Sequence, residues 1–589
     1  MGKMPRFRGM MQVMKREDKP LCVQADFTVL LDDRHTDAEA AREQLSRFAD
    51  LTKRPGHIHT YRITPMSIWN AASAGMTPKD MICALGDYSC YEVPLKVTSG
   101  IRKLADRYGK LMLQLTAEGQ LLLLGEEELL NTLRANQTIT GYLRLPEAAD
   151  GRLVVRPEAR GLLKQELTRL GYPVLDLAGY RHGEALELSL KDRTAAGRAF
   201  ELRDYQLRAV NLFYLEGQAD GGSGVLVLPC GAGKTVIGIA ALARLRCDTL
   251  ILTSNVTSVQ QWKSELLDKT TLREDEIGTY AAASKGVKPV TIATYQILTS
   301  RRQKSDEYSH MRLFQERNWG LIIYDEVHLL PAPVFRMTAD LQATRRLGLT
   351  ATLVREDGHE EDVFSLIGPK RFDLPWKTLE QRNYIASLTC TEIRLPLAHD
   401  EVEGYVAAEE KSKIRIAGEN PAKIEVVREL LRYHAGKPAL VIGQYLTQLH
   451  RLAEELQAPI LTGELPHEER AKLYEQFKAG EIPVLVVSKV ANFAVDLPDA
   501  AVAVQVSGSY GSRQEEAQRI GRILRPKAGQ NQAWFYTVVS QHTKETDYAS
   551  RRQLFLLEQG YRYSLREWSE MKGEIAAYDE DEVSQEAAQ

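Results

Sequence analysis

Short apolar runs, each closed by a turn or a helical stretch, recur along the C-terminal two-thirds of the chain. They lie at 225–228, 249–253, 290–293 and 321–324, and again at 439–442, 459–461, 484–487, 502–506 and 533–538. Runs of this length, free of polar alternation, read as strands buried on both faces. Alternation with helical segments predicts parallel sheets built by right-handed crossovers, with ligands at the carboxyl ends of the strands. The pattern therefore predicts two α/β domains, one over 199–375 and one over 376–575.

The pattern upstream is shorter and mixed. Residues 20–31 read as one or two strands, 36–48 as a helix, 67–75 and 78–85 as short helices, and 99–109 as a longer one. This gives a first module over 1–130. In a second, over 131–198, strands are predicted at 141–146, 153–157, 171–177 and 186–190, with an amphipathic helix at 157–170. Leu186 to Leu190 alternate apolar and polar, as a half-exposed strand does. His57 and His59 would share a face if both lay on a strand, but no third or fourth metal ligand stands nearby, so a hydrogen-bonding role is the expectation. The stretch 576–589 is acidic, lacks apolar periodicity and reads as a disordered tail.

Composition changes this picture little. A chain of 589 residues is too long for one core. The net charge of −3 means that any nucleic-acid contact must use local basic patches rather than an overall field. The six cysteines never form Cys-x-x-Cys, which leaves neither a zinc site nor a disulfide framework in view and points to reduced thiols. No stretch approaches the roughly 18 apolar residues of a membrane span. A cytoplasmic, nucleoid-associated protein with no membrane partner is the expectation.

The candidate chemistry sits at the ends of the predicted strands. After Val225 to Leu228 come Gly231-Ala-Gly-Lys-Thr235 and a helical run. Glycines between strand and helix let backbone N–H groups converge on phosphate, with Lys234 reaching the outer phosphates and the Thr235 hydroxyl holding Mg²⁺. The run Leu321 to Tyr324 ends in Asp325-Glu326. Asp325 is placed to hold Mg²⁺ and Glu326 to deprotonate an attacking water. His328 is either an exposed loop residue or a link between the two domains. Upstream, Arg203 and Gln206 are candidate nucleotide contacts: a Gln amide matches the N6/N7 edge of adenine, though a surface Gln on a helix is the competing reading. Arg519, Arg522 and Arg525 share a helix face in the second domain. That face is either solvated or, at Arg522 and Arg525, a source of charge for a transferring phosphoryl group once the domains close.

Together these residues resemble the motifs of superfamily 2 helicases, and more narrowly those of the XPB (Rad25-like) family of bacterial type. Asp325-Glu-Val-His resembles the family's motif II. Thr350-Ala-Thr352 resembles motif III, which couples hydrolysis to strand movement. Arg355-Glu356-Asp357 resembles the family's Arg-Glu-Asp element, implicated in strand separation, and Ser488 to Pro498 resembles motif V, with Asp496 in register as a nucleotide contact. The resemblance implies two RecA-like parallel-sheet motor domains preceded by small α+β N-terminal modules. The first is an XPB-type domain and the second, by position, damage-recognition-like, and a short thumb-like insertion falls at 400–419. It also implies ATP and Mg²⁺ as cofactors, DNA as partner in single-stranded or forked form, 3′–5′ unwinding and a role in nucleotide excision repair. Thr253, Thr294, Tyr295 and Gln444 become candidate DNA contacts by motif position. The family often works beside a nuclease. With no nuclease carboxylate cluster in the chain, a separate nuclease is the expectation. Rival readings are an ATP-driven duplex translocase, a damage-binding scaffold whose ATPase is a clamp, and an RNA helicase.

Overall fold

The computed structural model describes residues 19–53, 57–144, 152–218, 221–229, 231–282, 284–300, 309–342, 344–351, 360–374, 376–488, 500–508, 520–521, 523–524, 526–527, 531–558, 561 and 563–575. Both motor sheets form as the apolar runs predict. The first has eight strands among the described residues, in the order Ser284–Lys285, Ile277–Ala281, Val290–Thr294, Thr249–Thr253, Leu321–Asp325, Arg345–Thr350, Ser223–Val227 and Lys370–Asp373. All pair in parallel except the two-residue edge at 284–285. The second sheet is parallel throughout, in the order Ile460–Leu461, Val484–Val487, Ala439–Ile442, Val502–Gln505, Gln532–Ser540, Ser387–Leu395 and Tyr563–Glu567. Central strands such as Thr249–Thr253 and Val290–Thr294 are buried at every position, as strands covered by helices on both faces must be.

Several strands carry no continuous apolar run and escape the sequence pattern. Arg345–Thr350 begins with two arginines, yet Arg346 is fully buried. Its guanidinium donates to the carbonyls of Leu366 (2.7 Å) and Gln342 (2.9 Å). Ser387–Leu395 alternates and belongs to the second sheet, well before the first apolar run of that domain.

The upstream modules differ from expectation in three places. Leu111–Leu115 and Leu121–Leu124 share one four-stranded sheet with Arg152–Val155 and Val174–Asp176, so a boundary at 130 cuts through a single sheet. Gly141 to Arg144 form a turn with one bridge, Leu143 to Val155, rather than a strand. Leu186 to Leu190 make no strand of that module. The segment runs along the first motor domain, bridging Cys247 from Ala185 and Thr270 from Leu190, and its alternation is real because Leu186 and Leu188 enter the motor core. The first module is a four-stranded antiparallel sheet covered by helices. His57 stands in an exposed turn while His59, in the strand Ile58–Arg62, is buried with Nε2 3.8 Å from Asp33.

A buried charge cluster joins the second small module to the first motor domain. Asp176 receives Arg160 at 2.7 Å and Lys164 at 3.0 Å, and Lys164 also donates to Gln342 of the motor at 2.9 Å. Burial pushes the Lys164 ammonium down to about 8, partly offset by Asp176. Burial would raise the Asp176 carboxyl, but Lys164 and Arg160 outweigh it and hold the group well below its usual range. The first module docks beside it, with the Trp69 ring 6.5 Å from Phe364 and Asn70 accepting from the Lys370 backbone N–H at 3.0 Å.

In the second motor domain His434 shows a titration the fold should report. It is buried, its Nε2 lies 2.8 Å from the Tyr536 hydroxyl, and its ring centre is 4.8 Å from that of Trp534. Burial, helped by Lys437, pushes the imidazole down to about 4. The unfolded chain binds the proton more tightly, so this group costs stability as pH falls from about 6.5 towards 4. Thermal unfolding between pH 7 and 4.5 should show a smaller loss of Tm in His434→Gln than in the parent. Parallel curves would contradict the assignment.

Candidate ATP site and its DNA side

The phosphate loop follows the strand Ser223–Val227, in which every residue is buried. Gly231 and Gly233 adopt φ of +81° and +76°, the left-handed region that side chains resist, and the helix Lys234–Leu245 starts directly after them. A Cβ on Gly233 would stand 2.6 Å from the Gln206 amide nitrogen. The loop is held from behind by the helix Asp204–Tyr214: Gln206 Nε2 and the Tyr205 hydroxyl both donate to the Ala232 carbonyl, at 3.2 and 2.8 Å. Gln206 Oε1 accepts from the Arg203 N–H at 3.0 Å. Both ends of that amide thus bond to backbone, so in this structure Gln206 braces the loop instead of presenting a base-reading edge. The Arg203 guanidinium lies 4.5 Å from the ring centre of Tyr384, in the segment leading to the second domain.

The strand Arg345–Thr350 lies between the strand of the phosphate loop and Leu321–Asp325, so Lys234, Asp325 and Thr350 arrive at one edge of the sheet. Lys234 Nζ is 3.6 Å from Glu326 Oε1. Glu326 has φ of +52°, an uncommon conformation for a side chain with a Cβ and one that clusters at functional sites. Burial first, then the charge of Glu326, push the Asp325 carboxyl up to about 6. Burial would raise Glu326 too, but Lys234 and His328 outweigh it and keep Glu326 below its ordinary value. Two half-buried carboxylates therefore face one lysine. That excess of negative charge suits a divalent cation, for which the half-buried Thr235 hydroxyl and Asp325 are the donors at hand. No cluster of three or more His, Cys, Asp or Glu among the described residues could hold a metal alone. A Mg²⁺ ion held there would need further ligands from outside the protein.

His328 is not an exposed loop residue. It is buried, with Nδ1 2.7 Å from Thr350 Oγ1 and 3.5 Å from Glu326, and so ties Asp325-Glu326 to the Thr350 strand within one domain.

The residues expected to touch DNA divide in the same way. The side chains of Thr253, Thr294 and Tyr295 are buried and bond internally, so they do not present themselves as direct contacts, and Thr350, read as a coupling residue, is buried too. Thr253 Oγ1 donates to the Asn255 carbonyl at 3.3 Å, Thr294 caps the short helix Tyr295–Leu298, and the Tyr295 hydroxyl donates to the Asp325 carbonyl at 3.0 Å. Gln444 is half-buried beyond the strand Ala439–Ile442, with its N–H on Ser507 Oγ at 2.8 Å. Thr352, Arg355, Glu356, Asp357, Asp496, Arg522 and Arg525 lie outside the described residues. Two site residues carry no sequence signal. Trp262 Nε1 donates to Asp325 Oδ2 at 2.9 Å, and Tyr384 meets Arg203 and Tyr205. A tryptophan on an amphipathic helix and a tyrosine in a connecting segment look alike in any core.

Comparison with known proteins agrees with this geometry. Residues 379–587 match a family model described as the ERCC3/RAD25/XPB C-terminal helicase, 199–355 one described as the type III restriction enzyme res subunit, and 21–147 a helicase conserved C-terminal domain. The chain is 51% identical to a "DNA 3′-5′ helicase XPB" of Kineococcus radiotolerans, over 95% of its length and 98% of the relative's. It is 50% identical to a protein of the same name from Mycobacterium tuberculosis, over 94% and 99% of the two chains. A subunit XPB/SSL2 of Saccharomyces cerevisiae, named as a general transcription and DNA repair factor IIH helicase/translocase, is 30% identical over 93% of this chain and 72% of its own.

Proposed function

We infer the function from one premise: the chain belongs to the XPB (Rad25) family of helicases. It is an ATP-dependent DNA helicase with 3′–5′ polarity, serving DNA repair. The observation that carries this reading is the convergence of Lys234, Asp325 and Glu326 at one sheet edge, in a chain half-identical over nearly its whole length to proteins named for that activity.

The chain's own groups divide the work. The Gly231–Gly233 turn and Lys234 receive the phosphates, while Gln206 and Tyr205 keep that turn in shape. Arg203 lines the cleft beside Tyr384. Thr235 and Asp325 would hold Mg²⁺, which would supply charge neutralisation for the phosphoryl group. Glu326, kept ionised by Lys234 and His328, takes the proton of the attacking water. In this proposal Arg522 and Arg525, with Asp496, complete the site from the second domain on closure, and Arg355-Glu356-Asp357 separate the strands. DNA is held mainly through its phosphates, which makes binding sequence-tolerant and salt-sensitive. Strand incision falls to a separate nuclease.

ATP hydrolysis by the parent and Lys234→Ala, with and without single-stranded and forked DNA, together with strand displacement, tests this reading. DNA-stimulated hydrolysis with displacement from a 3′ overhang is expected for the parent, and neither for the variant. Stimulated hydrolysis without displacement would instead favour duplex translocation, the second activity in the name of the yeast relative. Absence of stimulation by any DNA would overturn the reading.

A further inference from the structure

Two segments of the first motor domain reach the metal-binding carboxylate from the face assigned to DNA. The strands Thr249–Thr253 and Val290–Thr294 pair in register, so Thr253 stands opposite Thr294 and the turns beyond them are neighbours. At the first turn Asn255 caps the helix Val256–Lys269 by accepting from the Ser258 N–H at 2.9 Å, and Thr253 Oγ1 reaches back to the Ala293 carbonyl at 3.4 Å. Val256 and Gln296 are exposed on this surface, whereas the residues behind them are not.

Beneath the surface both segments end on one residue. Two turns along the helix, Trp262 is 1% exposed and its indole N–H donates to Asp325 Oδ2 at 2.9 Å. From the second segment the Tyr295 hydroxyl, also buried, donates to the Asp325 carbonyl at 3.0 Å. The indole has its seat against the phosphate-loop helix, where Gly238 leaves room: a Cβ there would stand 2.5 Å from the ring and 3.3 Å from Leu349. Trp262 thus touches the phosphate-loop helix and the Asp325 carboxylate from a helix that begins at the DNA-side surface. A buried tryptophan needs an acceptor for its N–H, and any carbonyl would serve. Here the acceptor is the side chain proposed to hold Mg²⁺, and the same residue's main chain is held from the adjacent segment.

We propose that Trp262 and Tyr295 are positioning residues that together set the orientation of Asp325, so that a strand seated on the 254–258 and 296 surface tightens the Mg²⁺–nucleotide site. The proposal rests on the reading of Asp325 as a metal ligand and gives DNA stimulation of hydrolysis a physical path. The helix from Asn255 to Trp262 carries the displacement, and the indole N–H delivers it. Groups that orient metal ligands in this way change metal affinity or activity by about 10- to 100-fold when removed.

The test uses the full chain with Trp262→Phe, Tyr295→Phe and the double variant. Binding of a fluorescent ADP analogue is titrated with Mg²⁺, with and without single-stranded DNA, beside ATPase kcat and KM. Each single variant should raise the Mg²⁺ needed for half-saturation by about 10-fold or more and abolish the tightening caused by DNA. DNA-stimulated kcat should fall more than KM changes, while DNA affinity stays near that of the parent. Both variants matching the parent in Mg²⁺ requirement and in stimulation would overturn the proposal, as would a loss of Tm with the Mg²⁺ response unchanged. Should Trp262→Phe fail to fold, Tyr295→Phe decides alone. The helicase reading fails separately, in the parent, if DNA does not stimulate hydrolysis there.

Discussion

Glu326→Gln is expected to lower DNA-stimulated ATP hydrolysis by about 10²- to 10⁴-fold, the usual loss on removing a general base. The change deletes the proton acceptor but leaves a side chain of the same size on a backbone already held at φ +52°. It also releases Lys234 from its 3.6 Å pairing, so nucleotide affinity should hold or rise. Single-turnover hydrolysis and binding of a fluorescent ATP analogue separate the two effects. Strand displacement should vanish with hydrolysis while DNA binding persists. A variant that still displaces strands would remove Glu326 from its role, and one that still supports repair in cells would favour the damage-binding scaffold.

Glu545→Ala should cost the second motor domain about 3–5 kcal/mol, the penalty of leaving a buried charge without its partner. Lys423 is fully buried. Its Nζ lies 2.8 Å from each Glu545 carboxylate oxygen and 2.7 Å from the Val506 carbonyl, and burial lowers its pKa despite Glu545. Glu545 Oε2 also accepts from the Ser540 N–H at 3.0 Å, so the pair ties the helix Ala422–Tyr433 to the end of the strand Gln532–Ser540. Calorimetry should show the loss in one transition. The double variant Lys423→Met/Glu545→Leu should recover much of it, because exchanging a whole buried pair for apolar groups is often neutral. A single variant as stable as the parent would show that Lys423 finds another acceptor or loses its proton.

The sequence exposes those parts of the fold that repeat locally. Apolar runs such as Leu321 to Tyr324 announce their strands because burial on both faces demands such runs, and Gly231 and Gly233 announce the phosphate turn because few other residues adopt its dihedrals. Arg345–Thr350 stays hidden, since its burial depends on carbonyls that only the folded chain brings to Arg346. The sheet that straddles residue 130 stays hidden for a similar reason: Leu111–Leu115 pairs in parallel with Val174–Asp176, about sixty residues away. In the site, residue type identifies Lys234, Asp325 and Glu326, whose chemistry few others can supply. Motif position assigns segments, not side chains, to the proposed DNA side. Thr253, Thr294 and Tyr295 turn inward while their neighbours Val256 and Gln296 face out. The tie between Trp262 and Asp325 spans sixty-three positions and leaves no local trace.

The charge cluster of Arg160, Lys164 and Asp176 bears on descent. Lys164 keeps its ammonium in the interior with help from Gln342, which belongs to the motor and not to the module. Transplanted onto a host without that amide, Lys164 would keep Asp176 but lose its second acceptor, and the motor would in turn bury an amide oxygen with no donor. The second small module and the first motor sheet are thereby expected to be exchanged between relatives as one block. Chimeras split near residue 200 are expected to unfold at a lower Tm than the parent, a loss that calorimetry would read.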